Sequence, residues 1–174
     1  VLLTVGVWLS FKEHNRLNRD QLITAYMSAI DPVYRFNTIL EGHPDPLPLA
    51  SLASKNNDPM TVLLRQLEDE FSIDNAASGR LEALHSEYKP LIEDHHRKLL
   101  AEKELYEIFE ARRKNNEVID FMLLFEWVKR QESLSSTSRE TTRKLLMEML
   151  SVLPQEKREL LQEAIAASPQ NPLI

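Results

Sequence analysis

Two Glu-x-x-His units, Glu82 with His85 and Glu93 with His96, are the residues of this chain best spaced for chemistry. Side chains three apart share a helix face, so each unit can offer one carboxylate and one imidazole to an ion. Bundles that hold two iron ions use this unit twice, on facing helices, and add a Glu from each of two more. Here both units lie on one stretch, roughly 16 Å apart along a straight helix. Only a chain reversal at Pro90 would bring them together, so no metal site is expected. His95 has Leu91 and Leu99 four residues to either side, which places it in an apolar helical seam, held by a hydrogen bond. An imidazole in such a seam titrates near neutral pH and loosens packing once charged. His95 is therefore the candidate pH-sensitive residue, while His85 and His96 are expected to be solvated.

Other chemistry has no residues to carry it. The chain has no cysteine, which excludes disulfides, thiolate nucleophiles and thiolate-held metals. Only 3 glycines are present, too few for a glycine-rich phosphate cradle, and no GxSxG or HExxH pattern occurs. No catalytic or cofactor-binding residue is assigned, no cofactor is expected, and the chain is not expected to be an enzyme. The acidic run Glu68-Asp69-Glu70 fits a solvated helical face. Net charge is -6, from 21 basic and 27 acidic residues, which disfavours nucleic-acid binding. Two basic clusters, Arg112-Arg113-Lys114 and Lys129-Arg130, follow apolar stretches, where cations complement a helix C-terminus.

The elements that must position these residues are helical. Scarce glycine and abundant Leu, Glu, Lys, Arg and Ala favour helix throughout. The 174 residues are 43% hydrophobic, enough for a core that buries about 70% of the unfolded surface. Apolar residues recur at three and four from Leu22 to Ile30. Asp31-Pro32 and Asp58-Pro59 each supply a capping carboxylate followed by a proline suited to the first helical position. Gly42 ends the second helix, and prolines 44, 46 and 48 stiffen an irregular stretch over 42–58. Residues 59–71 form the cleanest amphipathic helix. Residues 78–114 read as one long helix with a kink or break near Glu87–Lys89, because Pro90 removes a backbone donor and crowds the preceding turn. Candidate ion pairs on it are Glu93–Arg97, Asp94–Lys98, Lys103–Glu107 and Glu110–Lys114.

The run Val118–Val128 is apolar nearly all round, so it is expected to form the central core helix, with 59–71 and 140–165 packed around it. Residues 133–138 read as a polar linker, and Thr137 with Glu140 as a capping box that opens the next helix. Pro154 starts the last helix. The expected fold is all-α, an irregular helical bundle of about seven helices, one of them long and kinked near Pro90. Residues 12–167 form its single domain and 168–174 a tail.

Residues 1–11 are uncharged and apolar, too short to span a bilayer alone, which needs roughly 20 residues. The chain opens at Val1 and not at methionine, so these residues are expected to be the end of a transmembrane helix, or a buried first helix. In the first case Trp8, Phe11, Arg16 and Arg19 are candidate membrane-interface residues. This layout resembles extracytoplasmic sensor bundles in architecture only, and no motif matches a named family. The function expected is a non-catalytic helical interaction or sensory domain of a membrane-associated protein, working through a protein partner or homo-oligomer. The alternative is a soluble cytoplasmic adaptor, or secretion-chaperone-like protein, whose first helix is core or interface.

Overall fold

A computed structural model describes residues 17–42 and 58–167. The apolar run 1–11, with Trp8, Phe11 and Arg16, lies outside the described residues, as do most of the proline-rich stretch and the tail 168–174. The described residues form six helices and no strand: α1 (Arg19–Ile30), α2 (Pro32–Leu40), α3 (Pro59–Phe71), α4 (Asn75–Lys114), α5 (Phe121–Val152) and α6 (Gln155–Ala167). The fold is all-α, as the composition indicates.

Local signals set most helix ends. Asn18 and Gln21 form a capping box at the start of α1. Asp31 accepts from the backbone of Val33 and Tyr34, with Pro32 following it. Asp74 caps α4 through Ala77 N–H, and Asp120 caps α5 through Met122 and Leu123. Helix α4 ends where Asn116 turns left-handed, with Glu117 N–H bonding Arg112 O and Asn116 N–H bonding Arg113 O. Arg112, Arg113 and Lys114 fill the last turn of α4, as expected of cations at a helix C-terminus.

Helices α4 and α5, of 40 and 32 residues, run antiparallel as one long hairpin. Tyr88 donates to Glu148 at 2.8 Å, and Trp127 Nε1 donates to Glu102 O at 3.3 Å. These cross-links mark opposite ends of one seam. Half of the hairpin belongs to a compact body. There α1, α3 and α6 pack on it around Tyr26, Met27, Leu63, Leu67, Leu145 and Leu161, all fully buried. Thr142 Oγ1 reaches across the body to Ile30 O at 2.9 Å. Helix α2 closes the body's upper edge, where Val33 and Phe36 meet Leu99. Beyond Leu99 the hairpin projects as a two-helix arm.

Two expectations need correction. The first concerns Val118–Val128, which lies at the arm's end and not the centre: residues 118–120 lead into α5 and the rest form its first turns. Val118 is 89% exposed, Phe121 79%, Met122 68% and Phe125 54%. Only the Leu124 and Trp127 side faces α4; no other helix among the described residues extends this far. The actual core is the stripe Leu145, Leu146, Met149, Leu150 and Leu153 against α1. The second concerns 133–138, which is continuous helix. Thr137 and Thr141 bond the carbonyls four residues back, at 2.9 and 3.1 Å, so the hydroxyls are satisfied without ending the helix. Small Ser138 and Thr142 are fully buried where the α1–α2 corner approaches. Of the kink or break expected at Pro90, no break occurs: α4 runs continuously across it as the one long helix. Pro90 and Ser86 both lie on the exposed side, so the carbonyl that loses its donor faces solvent.

This redistribution of the core is measurable in dilute urea melts. Leu146→Ala is expected to cost about 2–5 kcal/mol. Phe121→Ala is expected to stay within about 0.5 kcal/mol, as for a surface side chain. A Phe121→Ala cost near that of Leu146→Ala would return the run to the core.

Candidate functional site

The residues singled out for chemistry separate in the structure. Glu82 points to solvent, whereas His85 is buried in the body. The expectation of a solvated His85 was wrong because the inward stripe of α4 runs through Leu81, His85, Tyr88 and Ile92. Glu93 lies near Lys89 at 3.9 Å. His95 is half-buried, and its Nδ1 finds no hydrogen-bond partner among the described residues. Among the described residues no three His, Asp or Glu side chains are grouped to hold an ion. Of the expected ion pairs, Asp94–Lys98 and Lys103–Glu107 form, at 2.7 and 3.2 Å. Asp94 also pairs with Arg97, and Glu110 takes Arg113 in place of Lys114. Arg19 bonds Glu70 at 2.8 Å and lies over the Phe71 ring. No helix among the described residues is long and apolar enough to cross a membrane.

His85 is the histidine of the core seam. Its Nδ1 lies 2.7 Å from Leu81 O, and its Nε2 lies 2.8 Å from the Tyr26 hydroxyl. A carbonyl only accepts, so Nδ1 carries the proton and Nε2 accepts from Tyr26. The Tyr26 hydroxyl is also 2.8 Å from Met149 Sδ; its single proton serves the nitrogen, the better acceptor. Deep burial pushes the Tyr26 hydroxyl far up, so it remains a donor. Burial pushes the His85 imidazole down, and the Leu81 carbonyl offsets this only in part. Farther along the seam, burial and the Glu148 carboxylate push Tyr88 up to about 12. A half-open cavity of about 350 Å³ flanks His85. Its charges are engaged with one another: Lys89 bonds Asp58 at 3.0 Å and lies near Glu93.

The arm offers a different kind of site. Trp127 stacks on Tyr106 and meets Phe109 edge-on, both at 5.9 Å between ring centres. Arg130 reaches Glu102 at 3.3 Å. These contacts hold α4 and α5 together and fix the outer face of α5. On that face Phe121, Phe125 and Val128 follow one another at three and four, with Met122 beside them and Val118 exposed just ahead of the helix. Lys129 folds over the Phe125 ring at 4.5 Å. With about 150–200 Å² for each such side chain when fully open, the face exposes roughly 600 Å² of apolar surface. That matches the largest patches found on monomeric proteins, which are often functional.

The same face continues down α5. Glu132, Ser135 and Arg139 keep the spacing of three and four and line a groove of about 630 Å³ between α5 and α2, whose other wall includes Phe36 and Leu40. The sequence carried a signal for this continuous face in the positions 121, 125, 128, 132, 135 and 139. Treating 133–138 as a linker hid it. No family model matches the chain, and neither does any curated protein or solved structure.

The buried histidine makes stability depend on pH. The native state holds His85 neutral, while the unfolded chain titrates near pH 6.5. Below that pH the unfolded state binds more protons, so stability falls with pH, by at most about 1.4 kcal/mol per unit for one proton. His95 shifts in the same direction, through burial first and Lys98 second. Asp31 is raised by burial and acts in the opposite sense, at lower pH. In urea titrations between pH 7.5 and 5.5, His85→Gln is expected to remove most of the decline and His95→Leu less of it. An undiminished slope in His85→Gln would overturn this assignment.

Proposed function

We propose that this protein works without catalysis, by binding another protein chain through the outer face of α5. One observation carries the reading: a row of large apolar side chains stands open at the end of a rigid two-helix arm. Exposed phenylalanines cost solubility, and burying a phenylalanine side chain contributes about 1.5–3 kcal/mol. A folded protein with several of them on one face gains most when a partner covers that face. Aromatic and methionine side chains are also the types enriched at the centres of protein interfaces.

In this reading residues 1–11 act as a tether. Leu17, the first described residue, bonds Gln66 of α3, near the start of α4. Thirty-odd residues of α4 separate that level from Lys114, or about 50 Å. The binding face then stands well clear of the membrane, where it meets a partner and not the bilayer.

A photo-crosslinking residue placed at Phe125 in cells is expected to yield a discrete protein adduct that disappears when Phe121→Ser is added. The same residue at Glu163, exposed on α6, is expected to yield none. Lipid adducts alone at position 125, or equal labelling at both positions, would refute the reading.

A further inference from the structure

We infer that the partner on this face is a second copy of the chain, lying antiparallel along α5. The inference rests on the protein-binding reading above and specifies the partner. The outer face of α5 has two dissimilar halves. The first, Val118 to Val128, is a protruding apolar ridge. The second, from Glu132 onward, is one wall of the groove whose other wall includes Phe36 and Leu40. A surface that carries a ridge and an adjoining groove along one line is self-complementary. A two-fold axis near Lys129 lays the ridge of each copy in the groove of the other, so the same patch serves both copies.

The charges favour the same arrangement. Glu117 and Asp120 stand at the ridge end. Arg139 and Arg143 stand at the groove end and hold no ion pair among the described residues. Antiparallel overlap of residues 118–140, about 33 Å of helix, sets the acids of one copy beside the arginines of the other. Parallel overlap would set like charges together. The roughly 600 Å² of apolar ridge, with the groove walls added, reaches the scale of about 800 Å² per partner found in stable complexes.

An anionic lipid surface fits less well. Between positions 108 and 130 there are five basic and four acidic residues. The arm's end is therefore nearly neutral: the basic residues at 112–114 and 129–130 are offset by neighbouring acids, with Arg113 paired to Glu110 and Arg130 to Glu102, which weakens any pull toward anionic lipid.

Sedimentation of the purified chain across concentration decides the matter. The mass is expected to rise from 20.2 kDa to twice that value. Phe121→Ser with Phe125→Ser, on exposed positions, is expected to weaken dimerisation at least tenfold with an unchanged helical spectrum. Arg139→Glu with Arg143→Glu is expected to weaken it likewise, and adding Glu117→Lys to regain part of the loss. Met147→Ser, exposed on the body, is expected to change nothing. A parent mass fixed at 20.2 kDa overturns the inference, as does dimerisation unaffected by the ridge substitutions. Dimerisation insensitive to the two arginines overturns the antiparallel seat. Co-sedimentation with phosphatidylserine vesicles that requires Phe121 would assign the face to lipid instead. If the parent is monomeric while position 125 still captures a discrete protein in cells, the second copy fails and the binding reading stands. If neither occurs, both fail.

Discussion

The antiparallel seam between α4 and α5 is the contact on which the rest of this structure depends. It is long because neither helix of the hairpin is interrupted: Pro90 faces solvent, and the hydroxyls of Thr137 and Thr141 bond carbonyls of α5's own backbone. Its register is set by contacts of different kinds at different heights. Tyr88 meets Glu148 in the body, Leu99 and Leu134 come together at the edge, and Trp127 packs on Tyr106 and Phe109 in the arm. A slip of this seam by one turn would break all of these together and would move every outward position of α5.

The seam divides the molecule into two physical regimes. In the body, four further helices lie against the hairpin, and apolar side chains are buried from every direction. The Tyr26–His85 hydrogen bond lies there, as does Thr142 bonded to the Ile30 carbonyl across 112 positions of sequence. These polar groups are paired, as the cost of about 1–3 kcal/mol for an unpaired buried group favours, although the buried Ser138 hydroxyl has no partner among the described residues. In the arm only two helices are present among the described residues. A pair of helices can cover one face of each and no more, so the remaining apolar side chains stay open. The exposed face of α5 is thus a direct consequence of a seam longer than the body that covers it.

This division also explains the contrast between the two histidines. His85 and His95 are ten residues apart on one helix, close to the same face. His85 falls beneath α1, where Tyr26 closes over it. His95 falls near the body's edge, where cover is partial. The neighbours contributed by other helices, and not the spacing along α4, decide which imidazole is held neutral.

The sequence by itself determined the helical class and most helix ends. Those depend on interactions within a few residues: Asp31 with Pro32 ahead of α2, Pro59 at the start of α3, Gly42 after α2, and ion pairs such as Asp94–Lys98. It also determined which residues are apolar, including both the stripe at Leu145–Leu153 and the run at Val118–Val128. Only the tertiary structure decided which of the two is core. Periodicity reports that a helix face is greasy; it is silent on whether another helix reaches that height. Val118–Val128 is the more hydrophobic run, yet it lies beyond the ends of α1, α2 and α3. Leu145–Leu153 lies among them, and that difference in cover separates the centre of the fold from the surface now proposed to bind a second copy.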